Sequence, residues 1–303
     1  MKIAVSGATS FIGKKIIERA SMLGWSTVAI VRENSRNTLN VELLPNTQIV
    51  DCDLLDYKYL GEKTGSVDCF IHLAWDGTRG NARNDEKRQR DNYNWGIAAI
   101  ESMVNQGCKR IVTAGSQAEY GLVNGIIDEK TPCHPNTEYG KYKLKLFEDA
   151  SLFCQKNNVS FKEPRYFSLY GPRDNPNTMI MSILSCMIAN EPCKLTKCIQ
   201  MWDFLYIDDA IDGLLGLCER TCEDGAYNFG SGDCRPLKEF VQEMKLISCS
   251  KSELIYGAVP YSSAGIVSIQ PDISKLCREI NWKPKTSFEL GIRRILSSLS
   301  ERY

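Results

Sequence analysis

Tyr139 and Lys143 stand four residues apart in EYGKYK, and Ser116 lies upstream of them in AGSQAEYG. On a helix that spacing puts both side chains on one face a turn apart, where an ammonium can stabilise a phenolate. A phenol that is hydrogen-bonded to a serine and faces an ammonium is drawn down from its usual pKa of ~10, and exchanges a proton with an alcohol or carbonyl near neutral pH. That is the acid/base half of a hydride transfer. The same spacing also fits a solvated helix face, so the reading depends on what the rest of the chain brings beside it.

A hydride needs a carrier, and the N-terminal stretch is suited to hold one. Residues 3–6 read as a buried strand, Gly7 to Gly13 as a turn, and Ile12, Ile16, Ile17 and Ala20 keep helical spacing after it. Gly7 can take the tight turn and Gly13 permits close helix–strand packing, while free amides at the helix start face a pyrophosphate. Ser10 stands where the usual glycine pattern has its middle member. A second strand over 27–31 runs into Arg32-Glu-Asn-Ser-Arg36, with no acid placed for both ribose hydroxyls. Arg32, Ser35 and Arg36 suit an adenosine 2′-phosphate, which favours NADP(H) over NAD(H).

Strands over 48–51 and 69–73 stop at the same sheet edge, so Asp53, Leu54, Leu73 and Ala74 fall where an adenine and its ribose lie. His72, inside an apolar strand, reads as a core residue. A fifth strand over 110–114 delivers Ser116, and a long helix from about Tyr139 brings the tyrosine and lysine beside it. The polar loop 76–90, with Arg79, Arg83, Lys87, Arg88 and Arg90, is either a lid or solvated surface. A helix over about 92–106 follows it, a sixth strand begins at Ser160, and Asp208 is placed to cap a later helix.

The 303 residues suffice for one main sheet with a smaller cap. The expected fold is α/β, a Rossmann-type doubly wound parallel sheet with an interleaved substrate-binding part. The dinucleotide-binding part is assigned to 1–166 with a return segment of about 200–222, and the substrate-binding part to 167–199 and 223–303. A formal net charge of zero marks no nucleic-acid footprint. Thirteen scattered cysteines without paired CxxC spacing read as reduced thiols, and two histidines, His72 and His134, leave no metal-ligand cluster. The start runs directly into a strand and no apolar run reaches ~18 residues, so the expectation is a cytoplasmic protein without membrane contact.

Taken together, SGATSFIG, CDLLD, HLAW, AGSQAEYG, YGKYK, RYFSLYGP, WDFLYIDD and NWKPKTSFELGI resemble the extended short-chain dehydrogenase/reductase family. The resemblance is to its NAD-dependent epimerase/dehydratase group, which acts on nucleotide sugars. It implies that Tyr139 is the acid/base, that Lys143 binds the nicotinamide ribose, and that Ser116 orients the sugar oxygen. It further implies that Gly7, Gly13 and the backbone near Phe11 and Ile12 hold the pyrophosphate, and that Asp53 and Leu54 meet the adenine. Substrate contacts are implied at Trp75, Gln117, Ser168, Asn177, Trp202 and Arg173, and a homodimer through the helices from Asn92 and Tyr139.

The dehydratases of this family carry two carboxylates after the serine position. Here those positions are Gln117 and Ala118, and Glu119 falls one residue late, which argues against dehydration. With Arg32 and Arg36 favouring NADPH, the resemblance implies a reductase of a nucleotide-linked 4-keto-6-deoxy sugar, of the CDP-abequose and CDP-paratose synthase type. The alternatives are a nucleotide-sugar 4-epimerase or 4-dehydrogenase holding NAD tightly, and a non-catalytic cofactor-sensing protein. Intact Ser116, Tyr139 and Lys143 count against the last. Two arginines that bind the diphosphate in relatives are replaced, one by Trp202 and one by Tyr261 or Ser262, and the asparagine before Tyr-Gly-Pro is Ser168. Arg173, Arg79 and Arg83 are the cations that could compensate.

Overall fold

The first strand sets the architecture. In β1 (Lys2–Ser6), Ile3 and Val5 point into one apolar cluster and Ala4 into another, and all three are fully buried. A strand buried on both sides requires helices on both faces of its sheet. The computed structural model, which describes residues 1–33, 44–261 and 267–300, has that arrangement.

The chain continues through α1 (Phe11–Met22), β2 (Ser26–Val31), β3 (Thr47–Asp51), α2 (Leu60–Thr64), β4 (Cys69–His72) and α3 (Glu86–Asn105). Next come β5 (Arg110–Thr113), β6 (Gly115–Ser116), α4 (Glu138–Lys156) and β7 (Ser160–Tyr166). The second half contributes β8 (Leu169–Tyr170), α5 (Met179–Ala189), β9 (Cys193–Leu195), β10 (Met201–Trp202), β11 (Leu205–Tyr206), α6 (Ile207–Glu219) and β12 (Gly225–Phe229). It closes with β13 (Arg235–Pro236), α7 (Leu237–Ile247), β14 (Leu254–Tyr256), α8 (Ser274–Ile280) and α9 (Phe288–Ser300).

The main sheet has the order β3–β2–β1–β4–β5–β7–β12, with β6 also on β7, and every pairing in it is parallel. Strand order reverses between β1 and β4, which are in register with Ser6 opposite His72. A doubly wound sheet opens a crevice at that reversal, beyond the carboxyl ends of its strands. On one face Ile3, Val5 and Ile71 pack with α6 through Ile207, Ile211 and Leu214. On the other, Ala4 and Phe70 pack with Ile100 and Met103 of α3 and Leu146 of α4. The return to the sheet runs past residue 222, because β12 forms its edge as far as Phe229.

Outside the sheet, β8 pairs with β11, β9 with β14 and β10 with β13. An aromatic knot packs α7 and α9 on the β8–β11 ladder: ring centres lie 4.7 Å apart for Phe240 and Phe288, 5.0 Å for Phe204 and Phe240, and 5.4 Å for Tyr170 and Phe288. The Phe240–Phe288 and Phe204–Phe240 pairs are edge-to-face, and such pairs add about 0.5–1.5 kcal/mol each beyond area burial.

Two elements differ from expectation. Helix α3 begins at Glu86, six residues before 92, with the Asp85 side chain accepting from Arg88 N at 3.1 Å. Its buried polar residues face inward: Asn92 accepts from Asp76 N at 2.8 Å, and Gln89 donates to the carbonyls of Gly77 (3.0 Å) and Ala82 (2.7 Å). Glutamine and asparagine on the inner face hide the apolar period that marks a helix start. Asp208 is not a cap, because α6 starts at Ile207 with Tyr206 at the cap position and no side-chain cap bond. Asp208 instead lies in the first turn and pairs with Lys15 at 3.5 Å. All thirteen cysteines are free thiols. Among the described residues no helix is long and apolar enough to cross a membrane.

Candidate active site

The glycine turn lies against the end of β4. Gly7 has φ +67°, and a Cβ there would come within 3.0 Å of Ala74 N. A Cβ on Gly13 would stand 2.3 Å from the Gly7 carbonyl oxygen, so only a bare Cα lets α1 sit on the turn. Ser10 caps α1, its hydroxyl accepting from Gly13 N at 3.0 Å. The serine in place of a glycine therefore completes the helix start, while the amides of Phe11 and Ile12 lack partners within the helix. A pocket of about 310 Å³ opens here, between Gly7 and Ser10, Arg32, Leu54, and Leu73 and Ala74. Asp53 lies next to it, exposed, and Ser35 and Arg36 are outside the described residues. Bare glycines, helix-start amides and a crevice at the strand reversal fit an adenine dinucleotide.

A second cleft of about 1080 Å³ continues past Phe11 and Ile12, Trp75, Arg79 and Ala114 to Arg173. Arg79 reaches across it to Asp174, at 3.9 Å. Loop 76–85 thus overhangs the crevice, which favours the lid reading over solvated surface. Arg173, exposed on the facing wall, has φ +66°.

The three chemical residues converge where these spaces meet. Ser116 ends β6 and caps a single turn, its hydroxyl accepting from Ala118 N at 3.2 Å, while its own N–H donates to Glu119 Oε1 at 2.7 Å. Thr137 caps α4 by accepting from Gly140 N at 3.1 Å. A Cβ on Gly140 would lie 2.4 Å from the Ala118 carbonyl oxygen, so this glycine lets the start of α4 press on the Ser116 turn. This brings Tyr139 beside Ser116, whose side chain favours the phenolate.

One helical turn on, Lys143 Nζ donates to the Ala114 carbonyl at 2.7 Å and sits 3.8 Å from the centre of the Trp75 ring, against 6.0 Å from that of Tyr139. Burial lowers the Lys143 pKa to about 8, with Glu119 and Glu163 opposing the fall. Burial raises Tyr139 above its ordinary value; the neighbouring Ser116 side chain and the Arg83 guanidinium pull the other way. This corrects the phenol expected from spacing alone, drawn down by Lys143. Burial outweighs every favourable charge, and the cation over the ring is Arg83, its guanidinium carbon 4.5 Å from the ring centre.

Trp75 packs edge-on to Tyr139 at 6.1 Å and donates from Nε1 to Gln89 Oε1 at 2.7 Å. Gln117 is half-buried on the turn after Ser116. Ser168 links β7 to β8, its carbonyl accepting from Leu205 N at 2.9 Å. Trp202 pairs with Arg235 and packs beside Phe204 and against Tyr120, Phe167 and Ile269, its indole N–H buried without a partner. Asn177 is exposed on the loop before α5, and its neighbour Asn175 lines the cleft in its place. His72 is a core residue, with Nδ1 2.8 Å from Ser6 Oγ and a pKa lowered to about 3 by burial. Sequence reasoning missed the Arg83–Tyr139 contact, the Arg79–Asp174 bridge and a buried cluster of Glu119, Glu163 and Arg165. The one visible signal of the cluster was a glutamate and an arginine inside the strand FKEPRY.

A doubly wound parallel sheet whose carboxyl edge joins a dinucleotide crevice to a serine, a tyrosine and a lysine defines a nicotinamide-dependent oxidoreductase of the short-chain dehydrogenase/reductase class. Residues 3–230 match the NAD dependent epimerase/dehydratase family, and the chain belongs to that family. It is an enzyme of the extended branch of the class. Over 304 residues it is 25% identical to the CDP-abequose synthase of Salmonella muenchen, covering 98% of this chain and 97% of that protein. The UDP-glucose 4-epimerase of Thermotoga maritima, solved with UDP-glucose, superposes with a TM-score of 0.89 at 20% identity, covering 100% of this chain and 99% of its own. The UDP-glucuronic acid 4-epimerase of Bacillus cereus, solved with NAD, gives a TM-score of 0.84 at 22% identity over the full length of both.

Proposed function

We propose that the protein is an NADPH-dependent ketoreductase acting on a nucleotide-linked 4-keto-6-deoxy sugar. The observation that carries this reading is Ser116 on the turn that packs against the start of α4, beside buried Tyr139 and Lys143, with Gln117 and Ala118 following the serine. Elimination of water from a sugar needs an acid and a base, which the dehydratases that this chain resembles carry just after the serine. Gln117 and Ala118 offer none, and Glu119 is committed to the Ser116 amide and to Arg165. The chemistry left is transfer of a hydride and a proton at one carbon.

Burial keeps Tyr139 protonated at neutral pH, which suits donation of its proton to a carbonyl oxygen, the direction of reduction. The Ser116 hydroxyl would hydrogen-bond the same oxygen, while the ammonium of Lys143 and the guanidinium of Arg83 balance the phenolate. The nicotinamide, when bound, supplies the hydride. Lys143 would hold its ribose, Gly7, Gly13 and the amides of Phe11 and Ile12 its pyrophosphate, and Leu54 and Ala74 its adenine. Arg32 at the pocket wall supports a 2′-phosphate and hence NADP(H). Lys14, Arg79 and Arg173 line the larger cleft and supply cations for a diphosphate. Similarity over almost its whole length to a CDP-abequose synthase supports a nucleotide-linked sugar as substrate. Helices α3 and α4 are the proposed homodimer surface.

The second reading is a 4-epimerase that retains NAD, supported by the likeness in fold to solved 4-epimerases. The test is to denature the purified protein, identify any nucleotide released, titrate the cofactor-free protein with NADPH and NADH, and follow NADPH oxidation with a CDP-linked 4-keto-6-deoxy sugar. Preference for NADPH, nothing retained, and turnover are expected. Tightly held NAD(H) with interconversion of 4-hydroxy sugars would replace reduction by epimerisation.

A further inference from the structure

We propose that Gln89 is the positioning residue of the loop over the active site, its one buried carboxamide holding Arg83 on Tyr139 and Trp75 against Lys143. The effect on turnover rests on the reading of Tyr139 as the acid/base; the anchoring of the loop does not.

The segment between β4 and α3, residues 73–85, contains one short turn of 3-10 helix, Gly80–Asn84, and no strand. Its anchors come from α3 instead. Asn92 grips the base of the loop, accepting from Asp76 N and donating to the Asp76 carbonyl, both at 2.8 Å. Gln89 reaches further along it. Its Nε2 donates to the carbonyls of Gly77 at 3.0 Å and Ala82 at 2.7 Å, and its Oε1 accepts from Trp75 Nε1 at 2.7 Å. Two carbonyls require a donor and an indole N–H requires an acceptor, so one orientation of the carboxamide satisfies all three, and no carboxylate or apolar side chain does. Gln89 is 0% exposed, so water does not stand in for these bonds when they are lost. Gly77 admits the close approach: it has φ +75°, and a Cβ there would stand 2.5 Å from Arg88 Cδ and 3.2 Å from Gln89 Nε2.

The stretch gripped in this way carries the residues that touch the acid/base set. Lys143 Nζ lies 3.8 Å from the centre of the Trp75 ring, which also packs edge-on to Tyr139 with ring centres 6.1 Å apart. Arg83 follows Ala82 directly and sets its guanidinium carbon 4.5 Å from the centre of the Tyr139 ring. Its hydrogen bond to the Thr78 carbonyl, at 3.4 Å, stays within the same loop. What places the guanidinium, besides the ring itself, is therefore the anchoring of the loop at Ala82. Gln89 touches neither Tyr139 nor Lys143 in this arrangement and acts through Arg83 and Trp75.

Gln89→Met keeps the length of the side chain and removes all three bonds. Gln89→Glu keeps an acceptor for Trp75 and can donate to at most one of the two carbonyls. Melting curves establish that each variant folds, and if Gln89→Met does not, Gln89→Glu carries the kinetic test. In NMR spectra of the wild type, the Lys143 ε-methylene protons, assigned by their loss in Lys143→Met, should be displaced upfield by the ring current of Trp75. They should return towards the ordinary lysine position in Gln89→Met and stay in place in Gln89→Glu. With NADPH and a CDP-linked 4-keto-6-deoxy sugar, Arg83→Ala should lower kcat/KM about two- to thirtyfold in the wild-type background and leave it nearly unchanged in either Gln89 variant, where the guanidinium has already left the ring. A Lys143 resonance unmoved in Gln89→Met or moved equally in both variants, or an Arg83→Ala loss as large in the Gln89 variants as in the wild type, would overturn the proposal. The NMR measurement needs no turnover, so a shifted resonance beside a failed 4-keto-sugar assay would count against the substrate alone.

Discussion

The guanidinium carbon of Arg83 stands 4.5 Å from the centre of the Tyr139 ring, so the loop before α3 lays a cation on the ring of the phenol proposed as the acid/base. A cation in that position stabilises the phenolate more than the phenol, because ionisation puts electron density into the ring. Loop and α4 are thereby in contact.

Replacing Arg83 by alanine removes about 0.5–2 kcal/mol of that stabilisation, which corresponds to a loss of about two- to thirtyfold in the rate of hydride transfer. In the oxidation direction the acidic limb of the kcat/KM profile should move to higher pH, because Tyr139 then ionises less readily. Arg83→Lys should keep part of the effect. A profile unchanged in Arg83→Ala would show that the contact is packing alone.

Tyr139→Phe keeps the ring between Trp75 and Arg83 but loses the proton. Turnover should fall by about 10²–10⁴-fold while the Kd for NADPH stays within error of the wild type. Full activity in this variant would remove Tyr139 from its assigned role.

Lys143 has a folded pKa of about 8 against the usual 10.5 for lysine. The folded state gives up this proton first, so the cost of burying the ammonium is complete below pH 8 and is relieved between 8 and 10.5. Lys143→Met should melt higher than the wild type at neutral pH, with the gain shrinking as pH rises through that window. Catalysis should follow the same titration, kcat/KM falling above about pH 8. Melting curves at pH 7 and 10 for both proteins would check the sign.

Arg32 lines the pocket at the glycine turn, where the adenosine is proposed to lie, and is exposed. A charge-assisted bond to a 2′-phosphate contributes about 1.5–3 kcal/mol. Arg32→Ala should therefore weaken NADPH about tenfold or more and NADH little, as read by fluorescence titration. Equal losses for both cofactors would refute a 2′-phosphate contact.

The glycine turn and the parallel sheet were legible because their causes are local. An apolar strand, Gly7, Gly13 and a helical period follow one another within about twenty residues. Ser116, Tyr139 and Lys143 were legible by type and spacing, and strand, turn and helix bring them together as that pattern implies. The start of α3 was not, because Gln89 and Asn92 look like surface residues until the loop they staple is in place. Asp208 had the type of a cap, but the helix begins one residue earlier and its carboxylate goes to Lys15 instead.

What the sequence by itself determined is the class of chemistry, since the identities and spacing of a few residues suffice to name a hydride-transfer acid/base set on a dinucleotide fold. The tertiary structure alone decided the electrostatics of that set. Whether Tyr139 is drawn down or pushed up depends on how much water is removed from it, and that is set by Trp75 and Arg83 from the segment between β4 and α3 and by the turn after Ser116, on which Gly140 packs. Glu163 likewise reads as one more charge in a strand, and only the pairing of β6 with β7, which brings Glu119 to Arg165, makes it part of a buried charged cluster. Burial is a sum over distant segments, and no local pattern encodes it.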